Sequence, residues 1–128
     1  MILTSGVFDG LHIGHVAYLQ AAATLTGQSV YVAVAPDAYV RQVKGREPQW
    51  TETDRLRTVQ ALRCVRGAFL HGDTSVATVI IARAFPWTVF VKGSDWRGRL
   101  PADVVDACVQ HRVAIQFVES GIAQHSHN

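Results

Sequence analysis

Short apolar runs rich in β-branched residues alternate with longer stretches of helical periodicity along the whole chain. Strands are predicted at 1–3, 29–35, 65–70, 88–91 and 113–118, and helices at 16–23, 51–63, 76–84 and 101–111. Runs that are apolar on both faces are typical of buried parallel strands. This order favours a three-layer α/β/α sandwich with a five-stranded parallel sheet and right-handed crossovers. The 128 residues suit one domain, which we expect at 1–122, with 123–128 a short disordered tail.

Three polar segments follow predicted strands, at 6–15, 36–50 and 92–99. Ligands of open parallel sheets bind outside the carboxyl ends of the strands. We therefore expect these segments to converge on one cleft. Residues 37–43 are predicted to be a short polar connection, and 44–50 a loop that is a candidate lid because Gly, Pro and charge exclude a regular element.

The first of these segments has the properties of an anion-binding turn. It leads from a strand into a helix, whose first N–H groups lack intrahelical partners and carry partial positive charge. Gly6 and Gly10 permit a tight turn, and Gly14 lets a phosphate approach the backbone. His12 and His15 can then direct both imidazoles at one ligand. A pair of histidines alone could also bond locally or bind a metal, but its coincidence with the glycines and the helix start favours phosphate.

The string Gly-x-Phe-Asp-x-x-His-x-Gly-His at 6–15 resembles the signature of the small cytidylyltransferase-like nucleotidyltransferases. That group contains glycerol-3-phosphate cytidylyltransferase and the adenylyltransferase domain of ADP-heptose synthesis. The resemblance extends from residue 2 to about 122 and is strongest at 6–15 and 89–96. It implies a Rossmann-like sandwich, CTP or ATP as substrate with Mg²⁺, a small phosphorylated acceptor, and a homodimer.

The resemblance also implies the roles of individual residues. His12, His15 and Lys44 match the catalytic positions. The implied nucleotide-binding residues are Gly6, Val7, Phe8, Asp9, Gly14, Arg46, Arg55, Arg63, Gly93, Ser94, Asp95 and Trp96.

Several of these assignments have alternatives. Asp9 either orients the turn, which we favour, or contacts magnesium, and no other direct protein ligand to a metal is expected. Arg55 and Arg63 could equally be ion-paired supports or interface residues. Asp95 could cap a backbone N–H, and Trp96 could cover an edge of the fold.

The predicted reaction is transfer of a nucleoside monophosphate, CMP favoured over AMP, from a nucleoside triphosphate to a polyol or sugar phosphate with release of pyrophosphate. The chain departs from the family pattern at its end, where 119–128 lacks the Ser-Thr-Thr segment that binds triphosphate. The alternative is therefore a non-catalytic nucleotide sensor that kept the phosphate-binding turn. A dinucleotide-dependent oxidoreductase is disfavoured because the first turn lacks Gly-x-Gly-x-x-Gly.

Composition excludes other partners. The formal charge of +2, without a basic run, argues against nucleic acid, and no apolar run approaches the ~20 residues of a membrane span. Met1 leads straight into a predicted strand without a basic leader, so we expect a cytoplasmic protein. Cys64 and Cys108 are predicted to lie in helices as buried thiols of a reducing compartment.

Overall fold

A computed structural model describes residues 1–119 of the chain and shows one five-stranded sheet. Every strand pair is parallel, and the spatial order is β3-β2-β1-β4-β5. The strands are β1 (Ile2–Gly6), β2 (Val30–Val34), β3 (Val65–Leu70), β4 (Val89–Gly93) and β5 (Ala114–Val118). The predicted parallel α/β fold is confirmed.

Four of the five α-helices in residues 1–119 cover the two faces of the sheet. The helices are α1 (Ile13–Thr26), α2 (Asp37–Lys44), α3 (Glu52–Gln60), α4 (Ala77–Ala82) and α5 (Ala102–Gln110). The helix α2 packs at the carboxyl edge of the sheet through Val40. One hydrophobic core joins α1 and α3 to one face, with Leu19 and Val59 among its members. A second core joins α4 and α5 to the other face, with Ile80 and Val104 among its members. The three layers follow from these two cores.

The strand order reverses between β1 and β4. From β1 the chain proceeds to β2 and β3 on one side, and then returns to β4 and β5 on the other. The carboxyl ends at such a reversal diverge and leave a crevice, which is where ligands of doubly wound sheets bind. Both the 6–15 turn and the segment after β4 lie at this edge.

Several element boundaries differ from the sequence predictions. Residues 37–44 form the helix α2, so Lys44 is a helix end and not part of a loop. The helix α3 ends at Gln60, which places Cys64 in a turn before β3, whereas Cys108 is buried in α5 as predicted. The helix α4 ends before Arg83, whose φ of 55° is left-handed. The C-terminal segment 120–128, including the predicted disordered tail, lies outside the described residues.

Candidate functional site

His12 and His15 close the amino end of α1 through reciprocal hydrogen bonds. His12 is the N-cap, and its Nδ1 accepts the backbone N–H of Gly14 at 3.0 Å. The backbone N–H of His12 donates in turn to Nδ1 of His15 at 3.1 Å. This is a capping box built from histidines. The two ring centroids lie only 3.8 Å apart, so the imidazoles form one unit.

The capping bonds determine where the ring protons lie. A neutral imidazole whose Nδ1 accepts a hydrogen bond carries its proton on Nε2. Both Nε2 atoms are therefore donors, at a helix end that also has partial positive charge. The local bonding role and the phosphate role are thus compatible, because they use different ring atoms. Among residues 1–119, no group of three or more His, Cys, Asp or Glu side chains could hold a metal.

The backbone conformation of the turn places the Phe8 ring against His15. Phe8 adopts a left-handed φ of 55°, which is uncommon for a residue other than glycine. Its buried ring meets the His15 ring edge to face, with centroids 5.4 Å apart. A Cβ at Gly6 would lie 2.8 Å from this ring. Glycine at position 6 is therefore required by the position of Phe8, so Gly6 and Phe8 support the imidazoles through packing.

A buried polar cluster fixes α1 to the sheet. The hydroxyls of Thr4 and Tyr18 hydrogen-bond each other. Both hydroxyl oxygens also lie near the carbonyl oxygen of Val91, at 2.7 and 3.0 Å. Because each hydroxyl has one proton, one of them donates to this carbonyl and the other donates to its partner hydroxyl. Tyr18 lies one turn after His15, so this cluster sets the position of the helix end. The sequence analysis did not include Thr4 or Tyr18 in the site.

Asp9 holds the 46–50 loop against the turn. Its carboxylate accepts from Arg46 Nη1 at 2.8 Å and from the backbone N–H groups of Gln49 and Trp50 at 2.9 Å each. Burial acts to raise the pKa of Asp9, but these hydrogen bonds and the charge of Arg46 outweigh it and lower the pKa. Both carboxylate oxygens have protein partners. The geometry therefore supports the structural role of Asp9 and gives Arg46 a role in closing the loop.

Arg55 is a buried support and does not reach the cleft. Its side chain is 0% exposed, and its guanidinium donates to the carbonyl oxygens of Val7, Ala35 and Trp50 and to the carboxylate of Asp37 at 2.7 Å. It thereby joins the ends of β1 and β2 to the start of α2. Of the two roles expected for Arg55, these contacts favour the ion-paired support over a nucleotide contact, because its donors face protein oxygens.

Arg63 lies at the opposite edge of the sheet. It is exposed in the turn between α3 and β3, just before the amino end of β3. The 6–15 turn lies at the carboxyl edge, so the expected nucleotide contact within one chain is not supported. The amino-edge position explains the difference, since the sequence shows that a helix is ending but not which edge of the sheet it has reached.

Lys44, Trp96 and Lys92 form a stack at the carboxyl ends of β1 and β4. The Nζ atom of Lys44 lies 5.4 Å from the Trp96 ring centroid, and that of Lys92 lies 4.7 Å from it. Gly93 ends β4, and Ser94 and Asp95 begin the short 3-10 turn that carries Trp96. The predicted 93–96 loop is thus brought to Lys44. Trp96 forms cation–π contacts here, which are stronger where water is displaced.

Lys92 is a site residue that the sequence analysis did not single out. It is the fourth residue of β4, 5% exposed, and its Nζ donates to the Ser5 carbonyl at 2.8 Å. Burial, together with the charge of Lys44 and against the opposing charge of Asp95, lowers the pKa of Lys92 to about 7. Burial also lowers the pKa of Lys44, together with the charge of Arg46. The sequence feature that could have identified Lys92 is a lysine at the end of an otherwise apolar strand, two residues after the buried Phe90.

A parallel sheet with this reversal, and a helix end with two imidazole donors at its carboxyl edge, define the class of α/β nucleotidyltransferases. The chain belongs to the cytidylyltransferase-like family, whose model matches residues 3–124.

Curated relatives and a solved structure agree with this family. The chain is 36% identical over 122 residues to the bifunctional protein HldE of Citrifermentans bemidjiense, covering 93% of this chain and 24% of that protein. It is 34% identical over 96 residues to the FAD synthase of Thermococcus onnurineus, covering 75% of this chain and 63% of that protein. The chain thus spans about a quarter of the HldE protein that it matches.

Among solved structures, the lipopolysaccharide core biosynthesis protein of Thermoplasma volcanium superposes with a TM-score of 0.75 at 25% identity. The match covers 98% of this chain and 97% of that one. Within residues 1–119, no helix has the length and apolar character needed to cross a bilayer.

Proposed function

We propose that the chain transfers a nucleoside monophosphate from a nucleoside triphosphate to a small phosphorylated polyol or sugar, with release of pyrophosphate. The observation that carries this proposal is the histidine capping box at the amino end of α1, in which each ring uses Nδ1 as a backbone acceptor and therefore carries its proton on Nε2. Donors fixed in place before reaction are what charge developing on phosphate oxygens requires.

In the proposed reaction a phosphate oxygen of the acceptor attacks the α-phosphorus in line. The new P–O bond forms as the bond to the bridging oxygen breaks, and pyrophosphate leaves with that electron pair. His12 and His15 donate to α- and β-phosphate oxygens, and Lys44 neutralises the departing pyrophosphate. Catalysis then consists of positioning and charge stabilisation.

Magnesium enters this proposal with the nucleotide. Mg²⁺ binds mainly through phosphates and keeps several waters, and there it would neutralise charge on the triphosphate. The described residues fit this arrangement, because Asp9 uses both carboxylate oxygens within the protein. No residue of 1–119 is therefore assigned to the metal.

CTP and ATP are the two candidate donors. The Gly-x-Asp-Trp sequence at 93–96 favours CTP through its resemblance to the glycerol-phosphate enzymes. The similarity to a FAD synthase adds weight to ATP, since an adenylyl group is part of that product. We expect a homodimer by the same family resemblance.

The decisive experiment separates the capping role of the histidines from phosphate binding. His12→Asn and His15→Asn each keep an acceptor oxygen near the position of Nδ1, and asparagine is a good N-cap, but both lose the Nε2 donor. We expect each variant to keep its fold by circular dichroism and to lose about a hundred- to a thousandfold in pyrophosphate release. The assay pairs CTP or ATP and Mg²⁺ with a panel of sugar and polyol phosphates.

Three outcomes discriminate the hypotheses. Unchanged pyrophosphate release in both folded variants would remove the histidines from the mechanism. Binding of CTP or ATP by the wild type without pyrophosphate release, across the whole panel, would favour the sensor. If one asparagine variant loses its fold, the other variant decides, because each removes one Nε2 donor.

A further inference from the structure

A cavity of about 150 Å³ lies across β1 from the histidine turn. Its lining includes Ser5 and Gly6 of β1, Val7 just after that strand, and Lys92 of β4. The starts of α4 and α5 and the indole of Trp96 form its walls. The cavity therefore occupies the other side of the backbone segment that leads into His12. None of its residues belongs to the histidine pair.

Lys92 is a cation in the lining of this cavity, and the structure explains how it is held there. Its Nζ donates to the Ser5 carbonyl and lies 4.7 Å from the Trp96 ring centroid. Neither contact neutralises the ammonium group. No carboxylate forms an ion pair with Lys92 in the described part of the chain. Binding of an anionic ligand would therefore stabilise the charged form of this buried lysine.

The other polar side chains that line the cavity are suited to bind hydroxyl groups of a ligand. Nδ1 of His71 lies 2.7 Å from the Gly72 carbonyl, which places the proton on Nδ1 and leaves Nε2 an acceptor. Tyr39 packs on this ring at 5.0 Å, and burial raises the pKa of Tyr39 and lowers that of His71, so both are neutral near pH 7. Asp103 supplies carboxylate oxygens at the start of α5. These groups favour hydroxyls and oppose a second phosphate.

The size of the cavity limits its occupant further. A volume of about 150 Å³ corresponds to roughly ten to fifteen water-sized positions. A hexose or polyol monophosphate has a comparable number of non-hydrogen atoms and would fit within the cavity, whereas flavin mononucleotide has roughly twice as many and would extend out of it.

We propose that this cavity binds the acceptor, that the acceptor is a monophosphorylated small polyhydroxy compound and not a flavin nucleotide, and that Lys92 binds its phosphate. This inference rests on the proposed function. The cavity lies at the same carboxyl edge of the sheet as the histidine turn, since Gly6 and Val7 line it and lead into that turn. An acceptor bound there would approach the α-phosphorus from the side opposite the leaving pyrophosphate, which an in-line displacement requires.

A pH dependence follows for acceptor binding. Lys92 faces Ser5 of β1, Lys44 of α2, His71 after β3 and Asp95 of the 3-10 turn, and it shares the cavity with Tyr39 and Asp103. Its pKa of about 7 without ligand means that the ammonium form is lost above that pH. The acceptor phosphate is dianionic only above about pH 6. Acceptor affinity should therefore be highest between these values and fall on both sides.

The test measures acceptor binding separately from turnover. Titration calorimetry determines dissociation constants for glucose 1-phosphate, glycerol 3-phosphate and flavin mononucleotide, with and without an α,β-methylene nucleoside triphosphate. The variant Lys92→Met keeps the length of the side chain and removes the charge. The control Arg66→Met makes the same change of net charge at an exposed position of β3, near the amino edge. Thermal melts verify that both variants fold.

We expect the wild type to bind a sugar or polyol monophosphate and Lys92→Met to bind it about tenfold to a hundredfold more weakly. Nucleotide affinity should change much less than acceptor affinity in Lys92→Met, although Lys92 packs on Trp96. The weakening of acceptor binding above pH 7 should disappear, and Arg66→Met should match the wild type.

Equal acceptor affinity in Lys92→Met and wild type, preferential binding of flavin mononucleotide, or no phosphomonoester binding at all would each overturn the inference. Acceptor binding that depends on Lys92 without pyrophosphate release would uphold it and refute the proposed function instead. If Lys92→Met does not fold, the pH profile of the wild-type acceptor affinity decides, and a flat profile from pH 6 to 9 overturns the inference.

Discussion

Replacing Arg55 with methionine should destabilise the fold strongly. The guanidinium is 0% exposed and donates to three carbonyl oxygens and to Asp37. Methionine fills much of the same volume but satisfies none of these acceptors. Breaking a buried charged network by removing one partner costs about 3–5 kcal/mol, a large part of a total stability of about 5–15 kcal/mol.

The measurement is thermal and urea unfolding of Arg55→Met beside Arg63→Met. Both substitutions remove one arginine from the neighbourhood of α3, but Arg63 is exposed. We expect the Tm of Arg55→Met to fall by about 10–20 °C and the stability of Arg63→Met to change by no more than about 0.5 kcal/mol. A double-mutant cycle that combines Arg55→Met with Asp37→Asn should show a coupling free energy of about 0.5–3 kcal/mol between these two side chains.

Two results would refute this reasoning. If Arg55→Met melted within about 2 °C of the wild type but bound nucleoside triphosphate more weakly, Arg55 would be a ligand-binding residue, as the family resemblance implies. If Arg63→Met were the more destabilised variant, the assignment of buried and exposed arginines would be inverted.

Two further predictions concern the turn and its loop. Asp9→Asn should speed tryptic cleavage within 46–50, and because the pKa of Asp9 is lowered on folding, its contribution to stability is present at neutral pH and lost as pH falls below about 4. Equal cleavage rates and a pH-unfolding curve unchanged by the substitution would contradict this. Gly6→Ala should cost about 1–3 kcal/mol and slow pyrophosphate release, because its Cβ would lie 2.8 Å from the buried Phe8 ring. Gly67→Ala, whose Cβ would approach its nearest neighbour only to 3.2 Å, should cost less, and the reverse order would be inconsistent with the packing.

The sequence predicts the sheet well because its strands are buried on both faces. The continuous apolar run at 29–35 can hardly form any other element between two polar segments, and β2 occupies Val30–Val34. The 6–15 turn is equally well determined, since a strand, three glycines and a helix start coincide there. The helix α2 was missed because Asp37, Arg41 and Lys44 give it a polar composition, and only Val40 is buried. Its stability comes from tertiary contacts, which no local pattern records.

The roles of the basic residues were harder to predict. Arg46, Arg55 and Arg63 read alike in the sequence as cations near the nucleotide. In the structure, Arg46 forms an ion pair with Asp9 that holds the 46–50 loop, and Arg55 is a buried support. Arg63 is exposed at the amino edge of the sheet. What distinguishes them is the number of carbonyl and carboxylate oxygens around each side chain. That number depends on how β1, β2 and α2 converge in space, so the sequence does not display it.

The histidine capping box couples the fold to the chemistry. Because Nδ1 of each ring accepts a backbone N–H, the protein itself selects the tautomer that donates through Nε2. A substitution by alanine would therefore remove a helix cap and a phosphate donor together, and its effect on activity could not be assigned to either. Asparagine separates the two effects, since it restores only the acceptor. If His12→Asn and His15→Asn lose turnover while the helix remains intact, the Nε2 donors are the catalytic groups. If helix and activity are lost together, the histidines act through the cap.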